Sequence, residues 1–296
     1  MKVKNTLEPD GERMIPEFHK GMLLYGEHLL RYQSVEPLVK EKIVLDIASG
    51  SGYGSALLSH NAKKVYGVDV SGESIEYAKK NYPGKNIEYL EGSGTDIPIK
   101  DMEIDVAVSH ETIEHIEDYK KFLSEIKRIL KSDGIFVVST PNDKIYQQDN
   151  HFHLHQFSAK ELEKVLKKYF KNVKFYYQGV WLTSGLFEKK NFEEDFRQLR
   201  SVDKWVNQDV EKAVYFIAVC SDESINEVNI TEGLAISEPW TERQQRYIQN
   251  SLDERGRAIE HLEGVLHLRD TEIVELKKSL NAKPPSRIKS KFRHNN

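Results

Sequence analysis

The chain has 296 residues, a formal net charge of -4 and 30% charged residues. This length favours one domain of catalytic size with appendages. Hydrophobic residues make up 39%, and exchanging the 14 Tyr for the 17 Gly in that count gives about 40%, below the roughly 45–50% of an average soluble domain. We therefore expect part of the chain to build no globular core. The single cysteine, Cys220, excludes an intrachain disulfide framework and a cysteine-rich zinc site.

Neither a membrane helix nor a secretory signal is predicted. The longest apolar stretches, such as residues 135–138, fall far short of the roughly 18–20 residues that a membrane helix needs. The N-terminal sequence MKVKNTLEPD lacks the apolar region of a signal peptide. We expect a cytoplasmic protein, and the small net charge argues against a general attraction for nucleic acid.

Residues 1–35 are expected to form an N-terminal helical cap. Apolar side chains recur at helical spacing within residues 17–40, so this stripe could lie over the edge of a sheet. Its members are Met22, Leu23, Tyr25, Leu29 and Leu30.

Residues 36–222 are predicted to form one α/β domain. Short β-branched runs alternate here with charged helical stretches, which is typical of βαβ units around a parallel sheet. Two later apolar runs leave no room for an ordinary short crossover and are expected to form a terminal antiparallel pair, with residues 181–212 as an insertion on the acceptor side. The parallel runs span residues 43–47, 64–68, 87–90, 105–109 and 135–139, and the antiparallel runs span 173–177 and 213–219.

The C-terminal part has a different character. Residues 223–242 contain five Glu and no basic residue, and they are predicted to be a linker. Residues 243–282 carry a heptad seam that predicts a helical coiled coil and a homo-oligomer, either a dimer or a trimer. Arg255 and Arg269 interrupt the seam and would set register or oligomer state. A surface helix packed on its own domain is the alternative, but its period would drift from the seam.

The last segment, residues 283–296, contains five Lys or Arg and no acid. We expect it to be a disordered basic tail. An anionic membrane surface or a glycosyltransferase is the kind of partner it could contact, which would place the protein at the inner face of the membrane.

A glycine-rich turn follows the first predicted strand, in the sequence VLDIASGSGYG at residues 44–54. Its glycines allow a sharp turn and a close approach of the backbone to a ligand. Asp46 precedes the turn, and Asp69 follows Gly50 by nineteen residues, close to the roughly 20 at which a carboxylate meets a ribose diol. The segment GTDIP at residues 94–98 precedes the fourth strand.

Two classes of nucleotide cofactor compete for this turn. A dinucleotide dehydrogenase would need a third glycine at position 55, which is Ser55, and would not usually place Asp46 four residues ahead of the first glycine. That carboxylate suits a cationic ligand such as S-adenosylmethionine (SAM). With the ordered motifs VLDIASGSGYG, VYGVDVS, GTDIPIKDMEIDVAVSHETIEHI and LKSDGIFVVSTPN, residues 36–222 resemble the class I SAM-dependent methyltransferases. The resemblance implies a Rossmann-like seven-stranded α/β fold, here followed by the coiled coil.

The resemblance also implies which residues bind SAM. Asp46 and the backbone of the turn would hold the methionine portion, and Asp69 would accept from both ribose hydroxyls. Asp96 would accept from the adenine amino group, and His110 would lie beside the methyl group. The remaining contacts would come from the turn residues Ala48, Ser49, Gly50, Ser51 and Gly52 and from the adenine neighbours Val70, Thr95 and Ile97.

Two histidine-containing segments could activate an alcohol acceptor, which needs a general base or a metal that lowers its pKa. If HETIEH at residues 110–115 opens a helix, Glu111, Glu114 and His115 share one face. In NHFHLHQFS at residues 150–158, the alternating histidines point the same way when the segment is extended. Ser158 and Glu161 form a predicted capping box, so a helix should begin there.

The ExxEH pattern followed by a later HxF resembles the metal sites of small-RNA 2'-O-methyltransferases and quinone-pathway O-methyltransferases. It implies Glu111, Glu114, His115 and His155 as ligands of Mg, Mn, Fe or Zn. A metal-free base role for His110, His115 or His155, or a purely structural role for this segment, is also compatible with the sequence.

The acceptor is suggested only by segments outside the core motifs. GERMIPE at residues 11–17 and EHLLRY at residues 27–32 resemble methyltransferases of bacterial surface-polysaccharide synthesis. The leading hypothesis is an O-methyltransferase that acts on a sugar hydroxyl, as in capping a growing glycan, with the coiled coil as oligomeriser and spacer. The alternatives are a small-molecule O-methyltransferase acting on a quinone-like or natural-product hydroxyl and a non-enzymatic coiled-coil scaffold that binds SAM. RNA is disfavoured, since the acidic catalytic region lacks a basic stripe.

Overall fold

The computed structural model describes residue 7, residues 13–146, 152–180 and 209–235, and the single positions 269, 273, 277 and 278. The chain divides into two compact units, Met1–Ser237 and Glu238–Asn296. In the second unit, the four described positions are helical, and Ile273 is exposed. The predicted coiled coil and basic tail otherwise lie outside the described residues, as do residues 181–208 of the predicted insertion.

The first unit is built on a seven-stranded sheet with the order β3-β2-β1-β4-β5-β7-β6. Strands β1 to β5 are parallel, and β7 runs antiparallel to both β5 and β6. This confirms the predicted strands and the predicted antiparallel pair. The strands are β1 (Ile43–Ile47), β2 (Lys64–Asp69), β3 (Ile87–Glu91), β4 (Ile104–His110), β5 (Leu130–Pro141), β6 (Asn172–Gln178) and β7 (Tyr215–Ser221).

Eight α-helices accompany the sheet in the described part of the chain, with 3-10 turns at Ile113–His115 and Val210–Lys212. The helices are α1 (Pro16–His19), α2 (Leu23–Ser34), α3 (Glu36–Val39), α4 (Tyr53–Ser59), α5 (Gly72–Asn81), α6 (Tyr119–Ile129), α7 (Asp143–Tyr146) and α8 (Ala159–Leu166). The capping box of Ser158 and Glu161 forms at the start of α8, as predicted. No helix of the described residues combines the length and hydropathy needed to cross a membrane.

Both faces of the sheet are buried, as expected for a mainly parallel sheet. Strand β1 sends Leu45 to one face, where it joins Phe122 of α6 and Leu162 of α8. Val44 points to the other face and joins a cluster that includes Leu58 of α4. The carboxyl ends of β1 and β4 meet where the strand order reverses, which is the position where open α/β sheets bind ligands.

Three helices, α1 to α3, lie within residues 16–39, and α2 buries a different face from the predicted one. The apolar stripe is only half-buried, whereas the buried residues of α2 are mostly polar. They are Gly26, Glu27, Arg31, Tyr32 and Ser34. Some polar groups of this face form hydrogen bonds with distant residues, as Arg31 does with Gln178 and Glu27 with Tyr215. These bonds offset part of the cost of burying the groups.

The segment 110–115 does not open a helix, which corrects the conditional prediction. Glu111 adopts a left-handed conformation with φ of 51°, so the chain turns away from β4 before the 3-10 turn. Glu111 therefore does not share a helical face with Glu114 and His115. Helix α6 begins only at Tyr119, after Asp118 accepts a hydrogen bond from the amide of Lys121.

Part of the predicted linker packs on the domain. Ile225 and Ile230 are buried, and the amide of Thr231 donates to the carbonyl of Ser34 at 2.8 Å. The remaining residues of that linker, 236–242, lie outside the described part of the chain.

Candidate cofactor and acceptor site

The turn after β1 has a left-handed backbone at three positions. The φ angles are 61° at Ala48, 54° at Gly50 and 87° at Gly52. A Cβ on Gly52 would lie 2.5 Å from the Cβ of Ala78, so a side chain is excluded there by contact as well as by conformation. The amide of Ser49 donates to the carbonyl of Val68 at 3.0 Å, which fixes the turn against β2.

Gly54 makes room for another side chain of the protein and not for a ligand. A Cβ on this residue would lie 2.1 Å from the ring of Tyr32. The absence of a side chain therefore lets Tyr32 cross α4 and reach the end of β1. There, the hydroxyl of Tyr32 donates to Oδ1 of Asp46 at 3.0 Å.

Asp46 is fully buried at the site. Its second oxygen, Oδ2, accepts from the hydroxyl of Ser55 at 2.6 Å. Burial raises the pKa of Asp46 to about 6, although the two hydroxyl donors act in the opposite direction. A cation beside this carboxylate would stabilise its charged form.

Asp69 is held by two backbone amides. Oδ2 accepts from Gly50 at 2.8 Å and Oδ1 accepts from Ser71 at 2.9 Å. Each carboxylate oxygen has more than one lone-pair direction, so both can also accept from a ligand hydroxyl. Val70, the next residue, is 74% exposed.

The segment after β3 starts beside Asp69, because the amide of Gly92 donates to the Asp69 carbonyl at 2.9 Å. Asp96 is exposed, and the hydroxyl of Thr95 is hydrogen-bonded to that of Ser93 at 2.9 Å. Ile97 is only 3% exposed and belongs to the hydrophobic core. Its side chain packs in the core, whereas Thr95 and Asp96 are more open.

The N-terminal segment lies on the glycine-rich turn. The hydroxyl of Ser51 donates to the carbonyl of Met14 at 3.2 Å. The side chain of Arg13 comes within 3.6 Å of the position of a Cβ on Gly50. Part of the GERMIPE sequence thus covers the turn.

A chain of three side chains links Glu111 to His110 at the end of β4. The hydroxyl of Ser139 donates to Oε1 of Glu111 at 2.9 Å, and Nδ1 of His110 lies 3.1 Å from the same hydroxyl oxygen. Since the hydroxyl proton is directed at Glu111, Nδ1 of His110 is the donor and Nε2 carries the lone pair. Nε2 is buried and has no hydrogen-bond partner among the described residues.

The environment keeps this imidazole neutral. Burial, reinforced by the charge of Arg31, lowers the pKa of His110 well below its ordinary value. The ring of Tyr32 contacts it edge-on, with 4.9 Å between the ring centroids. His110 therefore presents an uncharged proton acceptor next to the residue that binds Asp46.

The buried polar face of α2 adds groups that the sequence did not assign to the site. Nη1 of Arg31 donates to Oε1 of Gln178 at 2.9 Å, and the hydroxyl of Tyr215 donates to Glu27 at 3.3 Å. Burial raises the pKa of Glu27. The spacing of Glu27 and Arg31, one helical turn apart in EHLLRY, is the signal that could have identified this face.

His28 and Tyr53 form a further polar pair here. Nδ1 of His28 lies 2.8 Å from the hydroxyl oxygen of Tyr53. Burial, and then the charge of Arg31, lowers the pKa of His28 well below its ordinary value. The ring of Tyr53 contacts that of Tyr32, so this pair adjoins the Asp46 site.

The predicted metal ligands separate into different environments. Glu114 and His115 lie with His153, and their ligand atoms fall within 4.8 Å of one another. Glu111 is bound to Ser139, and Nε2 of His155 lies 3.0 Å from the carbonyl of Glu117. The structure thus groups His153, instead of Glu111 and His155, with the other two predicted ligands.

The donor set of this cluster suits a divalent ion. One carboxylate and two imidazoles are typical ligands of transition metals and zinc. His115 has Nδ1 at 3.0 Å from the carbonyl of Phe152, the kind of contact by which a metal-binding histidine orients its other ring nitrogen toward the ion. That Nε2 lies 3.9 Å from Oε1 of Glu114.

The comparisons with known proteins agree with this architecture. Residues 45–138 match the family model described as a methyltransferase domain. A "Probable S-adenosylmethionine-dependent methyltransferase" of Mycolicibacterium smegmatis is 32% identical over 168 residues, which cover 55% of this chain and 65% of the relative. The demethylmenaquinone methyltransferase of Chlorobaculum tepidum is 28% identical over 161 residues, covering 53% of this chain and 57% of that protein.

The fold is also found among solved structures. A chain from the complex of the Haloferax volcanii Trm112 methyltransferase activator with a methyltransferase has a TM-score of 0.50 and 18% identity, covering 71% of this chain and 92% of its own. That likeness concerns the fold alone. The chain spans 65% and 57% of the lengths of these two curated relatives, and its match to the methyltransferase-domain model is limited to residues 45–138.

Proposed function

We propose that this domain is a SAM-dependent methyltransferase that transfers the methyl group to a hydroxyl oxygen, with His110 as the general base. The observation that carries the proposal is the buried Nε2 of His110, which the link through Ser139 to Glu111 leaves as a proton acceptor. An alcohol is a poor nucleophile while protonated, so a positioned base is the group this reaction requires.

The cofactor would lie across the ends of β1 and β2. Asp46 would face the ammonium and sulfonium charges, which would offset the cost of its buried negative charge. Asp69 would accept from the ribose hydroxyls through the lone pairs that its two amide contacts leave available. The exposed side chain of Val70 would flank the adenine, with Thr95 and Asp96 at its edge.

Methyl transfer needs no reactant besides SAM, the acceptor hydroxyl and His110. The acceptor oxygen forms a bond to the methyl carbon, the carbon–sulfur bond breaks and its electron pair remains on sulfur. The hydroxyl proton passes to Nε2 of His110. The sulfonium loses its positive charge as the imidazolium gains one, so the net charge of the site is unchanged during the step. Glu111, acting through Ser139, would orient the imidazole and stabilise its charged form.

A divalent ion at Glu114, His115 and His153 is a second means of activating the acceptor. Such an ion, whether Mg, Mn, Fe or Zn, would lower the pKa of a hydroxyl bound to it. Glu114 would supply an oxygen ligand, and the two histidines would supply nitrogen ligands. The test is methyl transfer after dialysis against a chelator. Full activity would contradict the metal role, whereas loss of activity with recovery on adding one ion would support it.

The acceptor we propose is a sugar hydroxyl, as in the capping of a growing polysaccharide. Its support is the resemblance of GERMIPE and EHLLRY. Met14 of the first segment accepts from Ser51 of the glycine-rich turn, and Arg31 of the second donates to Gln178 at the end of β6. The demethylmenaquinone methyltransferase among the relatives favours a quinone-like hydroxyl as the alternative. The homo-oligomeric coiled coil and the partners of the basic tail also remain proposals.

The experiment is methyl transfer from radiolabelled SAM to oligosaccharides and, separately, to a demethylated quinone. Label in the glycan alone supports the sugar hydroxyl, and label in the quinone alone overturns it. Asp69→Ala serves as the cofactor-site variant and Asp101→Ala, in an exposed residue, as its control. Unchanged SAM binding in Asp69→Ala would revive the scaffold alternative, which would tolerate the loss of this carboxylate.

The oligomer is tested by light scattering. The full chain is compared with a chain that ends at residue 240, just beyond the first compact unit. An oligomer that persists in the shorter chain would contradict the coiled coil as its cause.

A further inference from the structure

Arg31 is a buried cation with one free edge. It is 2% exposed, Nη1 is held by Oε1 of Gln178 at 2.9 Å, and the guanidinium carbon lies 4.4 Å from the centroid of the Tyr215 ring. Nε and Nη2 are both buried and have no hydrogen-bond partner among the described residues. The side chain is therefore fixed at one end, with two donors left unused.

These two donors form a recognisable chemical unit. Nε and Nη2 share one edge of the guanidinium, and their N–H bonds run parallel, which matches the two oxygens of a carboxylate or phosphate. Buried donors of a charged group that have no hydrogen-bond partner destabilise the folded protein. A ligand oxyanion would remove that destabilisation.

Neighbouring acids do not use this edge. Glu27 and Glu111 act electrostatically on Arg31, but in the described part of the chain neither forms a hydrogen bond with its free nitrogens. Both acids form hydrogen bonds with other side chains. Oε2 of Glu27 accepts from Tyr215, and Oε1 of Glu111 accepts from Ser139.

Arg31 lies in the neighbourhood of the proposed base. Arg31 precedes Tyr32, whose ring contacts His110, and the charge of Arg31 acts on both His110 and His28. A group bound to Arg31 would thus belong to an acceptor near His110. Tyr215 of β7 supports the guanidinium from one of its faces.

We propose that Arg31 binds an oxyanion carried by the acceptor, a carboxylate or a phosphate, and so positions the hydroxyl to be methylated. This inference rests on the proposed function and names its substrate class: an anionic sugar or a similarly charged hydroxyl compound. Gln178 and Tyr215 are positioning residues that hold the guanidinium for this contact.

The first test needs neither SAM nor methyl transfer. Thermal stabilisation of the full-length protein is measured with acetate, methyl phosphate and the neutral analogue acetamide at constant ionic strength. A response to acetate identifies carboxylate recognition, and a response to methyl phosphate identifies phosphate recognition. We expect at least one of them to bind, and about tenfold more weakly in Arg31→Lys, which keeps the charge but loses the paired donors.

Lys79→Gln, which removes an exposed cation of α5, is the matched control and should keep the wild-type response. Circular dichroism checks that each variant is folded. The proposal is overturned if neither anion stabilises the wild type more than acetamide does, or if Arg31→Lys keeps the full response. SAM binding is measured separately by calorimetry, so its absence would count against the proposed function and not against the anion site.

A second test follows once transfer is detected. Uronic acids, sugar phosphates and the corresponding neutral sugars are compared as acceptors. The charged acceptor should have the higher kcat/KM, and Arg31→Lys should raise KM for that acceptor by about tenfold with a smaller change in kcat. Equal kcat/KM values for charged and neutral sugars would contradict the acceptor assignment.

Discussion

The hydroxyl of Tyr32, on the second helix of the N-terminal cap, donates a 3.0 Å hydrogen bond to Asp46 at the end of the first strand. This contact joins the cap to the cofactor side of the sheet, and the same ring touches His110. One side chain thus connects the proposed SAM-binding carboxylate with the proposed base. Loss of the Tyr32 hydroxyl should therefore weaken SAM binding more than it reduces the stability of the fold.

Tyr32→Phe is expected to weaken SAM binding by about threefold to tenfold while reducing the free energy of unfolding by about 1 kcal/mol. The buried carboxylate of Asp46 loses one of its two hydroxyl donors, so its charged form becomes less favourable. Calorimetric titration with SAM and urea unfolding measure the two effects. Tyr66→Phe, which removes a hydroxyl that donates to Glu103, is the control and should bind SAM normally.

The sequence predicts the strands of this fold better than it predicts the buried face of α2. The strands of the parallel sheet are continuous β-branched runs because both faces are buried, so they were predicted closely. The sequence does not identify the buried face of α2 because Glu27 and Arg31 are residue types that usually remain exposed. Only their partners, Gln178 and Tyr215, explain the burial, and these lie about 150 to 190 positions away in the chain.

Local backbone geometry explains the other difference. The pattern of HETIEH is compatible with a helix, but the left-handed conformation of Glu111 breaks it. This conformation directs Glu111 to Ser139, which lies on the neighbouring strand and has no signal in the local sequence. The grouping of His153 with Glu114 likewise depends on a loop that returns to the 3-10 turn, where the amide of Leu154 donates to the Glu114 carbonyl at 2.8 Å.

Gly54→Ala tests the packing that brings Tyr32 to the site. The added Cβ would lie 2.1 Å from the Tyr32 ring, so the ring must move. We expect a loss of about 1–3 kcal/mol in the free energy of unfolding, together with weaker SAM binding. Gly233→Ala is the control because its Cβ would meet only Cδ1 of Leu30 at 3.2 Å. Equal unfolding energies for the two variants would contradict this role of Gly54.

Asp46→Asn is expected to stabilise the cofactor-free protein at high pH and to abolish tight SAM binding. The folded-state pKa of Asp46 is raised to about 6 from an ordinary value of 3.8, so ionisation favours the unfolded state. The stabilisation should be absent below pH 4, grow between pH 4 and 6, and reach up to about 3 kcal/mol above that range. Urea unfolding of both proteins from pH 4 to 8 measures it.

The same carboxylate predicts the pH dependence of the cofactor. Protonation of Asp46 removes the charge that would face the SAM cations, so SAM affinity of the wild type should fall as the pH decreases through about 6. Calorimetric titrations between pH 5 and 8 give the affinity at each pH. A SAM affinity that is constant over this range would show that Asp46 does not contact the cationic part of the cofactor.

His110→Ala is expected to lower kcat by about 10²–10⁴-fold, the usual contribution of a positioned general base, with little change in KM for SAM. His60→Ala, in an exposed residue at the end of α4, is the matched control. The pKa of His110 lies well below its ordinary value because of burial, so kcat at saturating SAM should be independent of pH above 7 and fall only on the acidic side. Saturating SAM separates this effect from the titration of Asp46.

Ser139→Ala distinguishes a base oriented by its neighbours from an isolated histidine. Without the hydroxyl, Nδ1 of His110 loses its partner and the link to Glu111 is broken, so the Nε2 lone pair is no longer selected. We expect kcat to fall by at least about tenfold, the acidic limb of the pH profile to shift, and Glu111→Gln to add little in the double variant because the residues act as a unit. If the two substitutions lower kcat independently, with multiplying factors, then Glu111 does not act through Ser139.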